Sequence, residues 1–276
     1  MIFANHRHGE GIVQTPNDCG FGRVSAVKTE EVRKSVARKG VPVRVRPSVV
    51  SVVEEEKREH FRCSRFVCLV LLQLLFMLRL VLASASLRRS QLLRDLGLSF
   101  EIAPTHAEEP APTLADCQNP GAYVERLARL KAAACEQDGL IIAADTTVVL
   151  DEHILNKPAN EAEALAMLQR LRGRTHRVFT GMCLRRGAQL WSEHECTSVT
   201  FGTLSEEFLR AYVATGEPLD KAGAYGAQGR GALLIERIEG DYWNVVGLPV
   251  FRLARMLSEH GVQVQQFWNE ENETKS

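Results

Sequence analysis

Short apolar runs alternate with amphipathic stretches from residue 77 to residue 264, an order of elements that is typical of an α/β domain. Strands are predicted at residues 78–83, 100–103, 140–144, 176–183, 190–201 and 232–238, and residues 241–246 are expected to continue the sheet. Helices are predicted at residues 88–96, 120–137, 161–171, 206–215 and 247–260. Asn119, Asn160 and Ser205 stand where N-caps are expected.

The first quarter of the chain lacks this pattern. Residues 1–65 have no sustained periodicity, and the apolar run at 66–78 is shorter than the roughly 20 residues that span a bilayer. Residues 83–85 resemble a signal-peptide cleavage site, but a signal peptide begins near the N-terminus, which argues against export. Met77 directly precedes the first strand. We therefore interpret residues 1–76 as a disordered or non-native extension, 77–264 as the domain and 265–276 as a polar tail.

The charge is unevenly divided along the chain. The 276 residues carry no formal net charge, but residues 1–76 hold +5 and residues 77–276 hold −5. Nucleic-acid binding depends on broad positive charge, so the acidic balance of the domain argues against it. Seven cysteines without a C-x-x-C pair are typical of a reducing compartment. We expect a cytoplasmic protein with no membrane partner.

The turn after the first predicted strand is the first candidate for chemistry. It brings Ser84, Ser86, Arg88 and Arg89 to the start of a helix. Free backbone N–H groups beside hydroxyls and guanidiniums suit an oxyanion or a phosphate chain. An ordinary turn with solvated arginines is the alternative.

Carboxylates and lysines supply further candidates. Asp145 directly follows the apolar run 140–144, and strand ends border the ligand crevice in open α/β sheets. Lys131 lies beside the apolar stripe of a helix, where a snorkelling lysine is the alternative. Glu109 lies in the polar, proline-rich loop at residues 104–120, from which a carboxylate could hold a divalent ion against phosphate. Lys157 precedes the next helix.

A glycine-rich stretch at residues 216–231 is the last candidate. Its glycines let the backbone approach a ligand closely, and Asp220, Lys221 and Gln228 offer polar contacts. A flexible surface loop is the alternative.

These motifs together resemble the Maf-like family of nucleoside triphosphate pyrophosphatases. The resemblance rests on the serine–arginine turn at 83–89, Ala144–Asp145–Thr146, Lys157–Pro158, residues 220–225 and residues 246–249, and it runs from about residue 80 to 261. Leu87 stands where the family usually has proline, and Ala227 where isoleucine is usual.

The resemblance implies a mixed, twisted sheet with flanking helices and two lobes around a cleft, as in inosine triphosphate pyrophosphatases. It implies hydrolysis of a nucleoside triphosphate to the monophosphate and pyrophosphate with Mg²⁺ or Mn²⁺, and it suggests a homodimer. Asp145 would be the proton acceptor and Glu109 would lie near the metal. The residues alone leave open whether Asp145 accepts a proton, binds the metal or does both. The triphosphate would be held by Ser86, Arg88, Arg89, Lys131 and Lys157.

Substrate choice is implied at three positions, Arg88, Thr146 and Gln228. A glutamine at position 228 resembles the branch that acts on dTTP and UTP. Two alternatives stay open: the sister branch that acts on 7-methyl-GTP, and a non-enzymatic nucleotide-binding regulator linked to septum formation.

Overall fold

The computed structural model describes residues 79–268. The interpretation of residues 1–76 and most of the expected polar tail therefore lie outside the described residues. Within them, the strands are β1 (Leu80–Leu82), β2 (Phe100–Ile102), β3 (Leu140–Leu150), β4 (His153–Leu155), β5 (Thr175–Arg186), β6 (Gln189–Phe201) and β7 (Ile235–Glu239). The α-helices are α1 (Leu87–Asp95), α2 (Leu114–Gln118), α3 (Pro120–Ala133), α4 (Glu161–Leu171), α5 (Glu206–Val213), α6 (Tyr242–Val246) and α7 (Val250–Glu259).

The expected side-chain caps begin three of the helices. The Asn119 carboxamide accepts from the Ala122 amide at 3.2 Å at the start of α3. Asn160 accepts from the Glu163 amide at 3.0 Å, and Glu163 reaches back to the Ala159 amide at 2.7 Å. The Ser205 hydroxyl accepts from the amide of Phe208 at the start of α5. Each cap satisfies a backbone N–H that the helix itself leaves free.

The strands form one mixed sheet in the order β2-β1-β3-β5-β6-β7, with β4 beside β3. β1 runs parallel to β2 and β3, and the remaining pairs are antiparallel. Helices flank this sheet, so the predicted α/β class with a mixed sheet is confirmed.

One edge of β3 is open in its middle. On that edge β1 pairs with Leu140–Ile142 and β4 pairs with Val148–Leu150, while β5 occupies the opposite edge along nearly the whole strand. In the described part of the chain, residues 143–147 therefore have no strand neighbour on the β1 side. This open edge is our candidate for the cleft that the resemblance implies.

Alternate side chains of β3 face two different layers. Ile142, Ala144 and Val148 pack into the main core, which includes apolar side chains of α1, α4, α5 and α7. Ile141 and Ala143 pack on the other face, under α3. Because side chains alternate along a strand, Thr146 faces the main core and Asp145 faces α3.

Two predictions about the ends of strands were wrong. Asp145 does not end a strand, because the β-branched residues after it continue β3 to Leu150. Residues 241–246 do not continue the sheet but form α6, where the Asp241 carboxylate accepts from the Trp243 amide at 2.8 Å. A side-chain cap that satisfies a free amide favours the helix over the strand.

Three smaller differences concern the segments between elements. The loop expected at residues 104–120 contains α2, which a reciprocal capping box between Thr113 and Asp116 begins. β7 starts later than expected because Gly229–Leu234 forms a 3₁₀ helix. Phe267, beyond the boundary expected at residue 264, is buried and belongs to the main core.

Candidate active site

Arg89 lies at the open edge of β3, beside the turn that begins α1. Its guanidinium donates to the Ala144 carbonyl at 2.8 Å, to the Gly247 carbonyl at 2.8 Å and to the Thr146 hydroxyl at 3.0 Å. Ser86 caps α1 by accepting from the Arg89 amide at 3.4 Å. Burial lowers the pKa of Arg89 from its ordinary value, and the nearby Asp145 carboxylate opposes that shift.

The hydroxyl of Thr146 belongs to a short hydrogen-bonded chain. It lies 2.9 Å from the Thr180 hydroxyl, which donates to the Asn244 carbonyl at 3.0 Å. Since each hydroxyl has a single proton, Thr146 must donate to Thr180 and accept from Arg89. Thr146 therefore offers a ligand only its remaining acceptor position.

Arg88 occupies a different environment from its neighbour. It reaches across to the glycine-rich stretch and pairs with Asp220 at 3.3 Å. Burial acts to raise the pKa of Asp220, but the hydrogen bonds and charges of Lys221 and Arg88 outweigh it, so the pKa is lowered overall. Arg88 thus connects α1 to the glycine-rich stretch.

Asp145 and Lys131 meet on the face of β3 that packs against α3. The Lys131 ammonium lies 2.5 Å from one Asp145 oxygen and 2.8 Å from a Glu109 oxygen. The side chains of Asp145 and Lys131 are 11% and 17% exposed, whereas Glu109 is half exposed. Lys131 is therefore not a snorkelling surface lysine, because its ammonium is held between two carboxylates.

Lys157 follows a residue that three neighbours hold in place. The Asn156 side chain accepts from the Thr147 hydroxyl at 3.2 Å and donates to the Tyr123 phenol, and its carbonyl accepts from the Gly223 amide at 3.2 Å. Burial raises the pKa of Tyr123, which keeps the phenol protonated. Lys157 itself is exposed. Because Asn156 contacts β3, α3 and the glycine-rich stretch, the backbone that leads into Lys157 is held by all three.

The glycine-rich stretch is mostly not a surface loop. Residues 223–227 are buried, and a side chain at Gly223 would lie 2.8 Å from Val148 of β3. Gln228 follows and is exposed. The Tyr242 hydroxyl lies 3.5 Å from the preceding carbonyl of Ala227. The alternative of a flexible surface loop thus does not fit residues 223–227.

Candidate side chains on both faces of β3 lie beside its open edge. Arg89 and Thr146 lie on one face, Asp145 and Lys131 on the other, and only the unpaired edge between them is common to both. A triphosphate seated there would have cations on both sides and one carboxylate in reach. Such an arrangement suits reactions that depend on neutralising and positioning phosphate oxygens.

Two kinds of feature are absent from residues 79–268, a ready-made metal site and a membrane-spanning helix. No three His, Cys, Asp or Glu side chains in this part of the chain come together as a ready-made metal site. No helix there has both the length and the apolar content to cross a bilayer.

Comparison with known proteins identifies the family. The model described as "Maf-like protein" matches residues 79–260, more than half of the chain. The chain belongs to the Maf-like family. The expected membership is thereby confirmed.

Several relatives of this Maf-like chain are similar along almost their whole length. The relative in Symbiobacterium thermophilum is 48% identical over 191 residues, 68% of this chain and 97% of that protein. Those in Moorella thermoacetica and Bacillus cereus strain AH820 are 50% and 44% identical, with 98% of each protein covered. All three are named dTTP/UTP pyrophosphatase. A solved HAM1 protein from Coxiella burnetii aligns with a TM-score of 0.34 and 14% identity, over 71% of this chain and all of that one, which adds nothing to the assignment.

Sequence reasoning missed residues of this Maf-like site that act through others. Thr180 sets the direction of the Thr146 hydroxyl, and the Gly247 carbonyl holds Arg89. Gly247 belongs to the motif at residues 246–249, which indicates the family but does not predict a contact with Arg89. Thr180 gives no signal in the sequence, because a buried threonine in a strand is ordinary.

Proposed function

We propose that this Maf-like chain hydrolyses dTTP and UTP to the monophosphate and pyrophosphate. The observation that carries the proposal is the open edge of β3, beside which Asp145 and Lys131 lie on one face and Arg89 lies on the other. The relatives named dTTP/UTP pyrophosphatase, at 44% to 50% identity, support the substrate class.

The triphosphate is held, in this proposal, by groups at the open edge. Arg88 and Arg89 stand at the start of α1, where Ser86 adds a hydroxyl and the helix N-terminus adds its dipole. Lys157 and Lys131 approach from the other elements. Guanidinium and ammonium groups neutralise phosphate oxygens and stabilise the pyrophosphate as it leaves.

Asp145 accepts the proton of the attacking water. The water oxygen forms a bond to the α-phosphorus while the bond from that phosphorus to the bridging oxygen of the β-phosphate breaks. The products are the nucleoside monophosphate and pyrophosphate. Lys131 orients the Asp145 carboxylate through its 2.5 Å contact, which makes Lys131 important for placement of the base as well as for charge.

The residues present suit a divalent cation. Asp145 and Glu109 share a single ammonium, so two hard oxygen donors stand within reach of one small cation. These two residues would hold Mg²⁺ or Mn²⁺, each through the carboxylate oxygen that does not contact Lys131. A bound cation would supply further neutralisation of the phosphate charge. The identity of the ion, a homodimer and a cytoplasmic location remain predictions from the resemblance.

Base selection is assigned to Gln228, Thr146 and Arg88. The amide of Gln228 both donates and accepts, which matches the O4 and N3–H edge of thymine and uracil. Thr146 offers only an acceptor, which also suits N3–H. Since a buried polar group left unpaired costs roughly 1–3 kcal/mol, we expect dTTP and UTP to exceed ATP and GTP by at least about tenfold in kcat/KM.

Pyrophosphate release from a panel of nucleotides tests this proposal. Gln228→Ala should narrow the gap between pyrimidine and purine substrates more than it lowers turnover of UTP. Gln169→Ala, at an exposed position of α4, is the matched control and should leave the gap unchanged. A wild type that prefers 7-methyl-GTP would contradict the branch, and binding without pyrophosphate release would contradict the enzyme.

A further inference from the structure

In its second half, residues 223–231, the glycine-rich stretch exposes only a short tip. Residues 223–227 are buried, Gln228–Arg230 are exposed, and Gly231 is buried again. Gln228 therefore sits in a short exposed bend between two fixed ends. Whatever fixes those ends also fixes where the Gln228 amide lies.

Glu217 fixes the far end of this bend. One carboxylate oxygen accepts from the Gly231 amide at 3.0 Å and from the Tyr212 phenol at 3.1 Å, and the other accepts from the Arg230 amide at 3.2 Å. Burial raises the pKa of Tyr212, so its phenol remains a donor. A carboxylate accepts at both oxygens and donates at neither, which suits three converging donors.

Lys221 closes the near end against the same residue. Its ammonium donates to the Glu217 carbonyl at 2.5 Å and to Asp220 at 2.6 Å. The Lys221 side chain passes so close to Gly226 that an added Cβ there would lie 2.9 Å from it. Gly231 and Gly226 are in close contact as well, since a Cβ on Gly231 would lie 2.3 Å from the Gly226 carbonyl oxygen. The two ends of the bend are thus tied together through Glu217.

We propose that Glu217 is a positioning residue that sets the location of Gln228 and, through it, the preference for pyrimidine nucleotides. The inference rests on the proposed function of Gln228. Replacing one carboxylate oxygen with an amide nitrogen would set a donor against a backbone donor, so the bend would open at Arg230 or Gly231. Gln228 would then move, while Asp145 and the phosphate-binding groups would stay in place.

Glu217→Gln is the test, scored as the ratio of kcat/KM for UTP to that for ATP. We expect the ratio to fall about tenfold, mainly through a higher KM for UTP with kcat nearly unchanged, because loss of a single well-placed hydrogen bond is worth about that factor. Tyr212→Phe removes a side-chain donor but keeps both backbone contacts, so its ratio should stay unchanged. Glu206→Gln makes the same chemical change at an exposed position of α5 and is the matched control.

A double-mutant cycle separates positioning from general damage. If Glu217 acts through Gln228, then Glu217→Gln should change the ratio little further in a Gln228→Ala background. Glu217→Asp keeps both oxygens one methylene shorter, and it replaces Glu217→Gln if that variant does not fold; its ratio should also fall. A folded variant with the wild-type ratio, or an equal fall in both backgrounds, would overturn the inference. A wild type without pyrimidine preference would instead contradict the proposed function.

Discussion

At the scale of single residues, the decisive contact is the sharing of one ammonium by two carboxylates. Lys131 lies 2.5 Å from Asp145 and 2.8 Å from Glu109, with little solvent around the first pair. A buried charge without a partner is costly, so these groups depend on each other. The same contact that stabilises the pair also holds the Asp145 carboxylate in one position on the α3 side of β3.

Asp145→Asn should abolish turnover and, compared without added divalent cation, leave nucleotide binding nearly intact. The carboxamide keeps the shape and an acceptor for Lys131 but removes the base, and loss of a general base costs on the order of 10²–10⁴-fold in rate. Pyrophosphate release and calorimetric titration with UTP measure the two effects separately. Arg89→Ala is the contrasting variant, because it should weaken binding as well. Wild-type turnover by Asp145→Asn would remove the assignment of the base.

At the scale of elements, the glycine-rich stretch is anchored to the sheet by a buried pair. His176 of β5 lies 2.7 Å from the Tyr225 phenol through its Nε2, and both rings contact Phe201 edge to face. Burial lowers the pKa of His176 to about 4. In the unfolded chain this imidazole has an ordinary pKa near 6.5 and begins to bind a proton around that pH. In the folded protein it stays neutral until the pH falls to about 4.

This difference predicts a loss of stability on acidification. The His176 contribution is complete above about pH 6.5 and declines as the pH falls to about 4, by about 3 kcal/mol, since each unit of pKa is worth 1.36 kcal/mol. Urea unfolding of Tyr225→Phe and of Tyr225→Phe/His176→Phe isolates the titrating ring, because neither background retains the hydrogen bond. Between about pH 6.5 and pH 4, the free energy of unfolding should fall by about 3 kcal/mol less in the double variant than in Tyr225→Phe. Equal pH profiles would show that His176 is not the cause.

Elements whose pattern was local were predicted well, and those decided by tertiary contacts were not. The helix at Glu161–Leu171 follows from its cap and its apolar spacing, and it was predicted to the residue. Residues 241–246 are as apolar as a strand, but the buried Asn244 carboxamide donates to the Val178 carbonyl of β5 and to the Thr197 hydroxyl of β6, and these tertiary contacts favour α6. Asp145 was predicted at a strand end, but it lies inside β3, where the edge is open because the short β1 stops pairing at Ile142. The register between two strands cannot be predicted from the sequence of either strand alone.

The site residues show the same division. Arg89 was predicted as a site residue from its motif and Lys131 from the family resemblance, but their partners lie on other elements, at Gly247 and Glu109. Glu217 carried no signal, because an exposed-looking glutamate before a proline is common in turns. Its three donors come together only when Gly231 and Tyr212 pack against each other.

At the scale of the described part of the molecule, the open edge of β3 brings separate parts of the fold to one place. α1 reaches it from the β1 side, Lys157 follows β4 on the other side, and α3 covers the Asp145 face. A triphosphate bound at this edge would contact all of these elements, at a place where no strand of the described part of the chain pairs with β3. Binding should therefore stabilise the fold as a whole, since a ligand that binds only the folded state shifts the unfolding equilibrium.

Thermal unfolding of Asp145→Asn with UTP measures this connection, because that variant should bind the nucleotide without consuming it. At a hundred times the measured Kd, binding contributes about 2.7 kcal/mol, which corresponds to a rise in Tm of about 5–10 °C for a domain of this size. Adding Arg89→Ala removes the guanidinium that reaches the Ala144 and Gly247 carbonyls, so at the same UTP concentration the rise should shrink to a small fraction. ATP at that concentration should also give a smaller rise than UTP. An equal rise with and without Arg89 would mean that the triphosphate binds away from the open edge, whatever the enzyme hydrolyses.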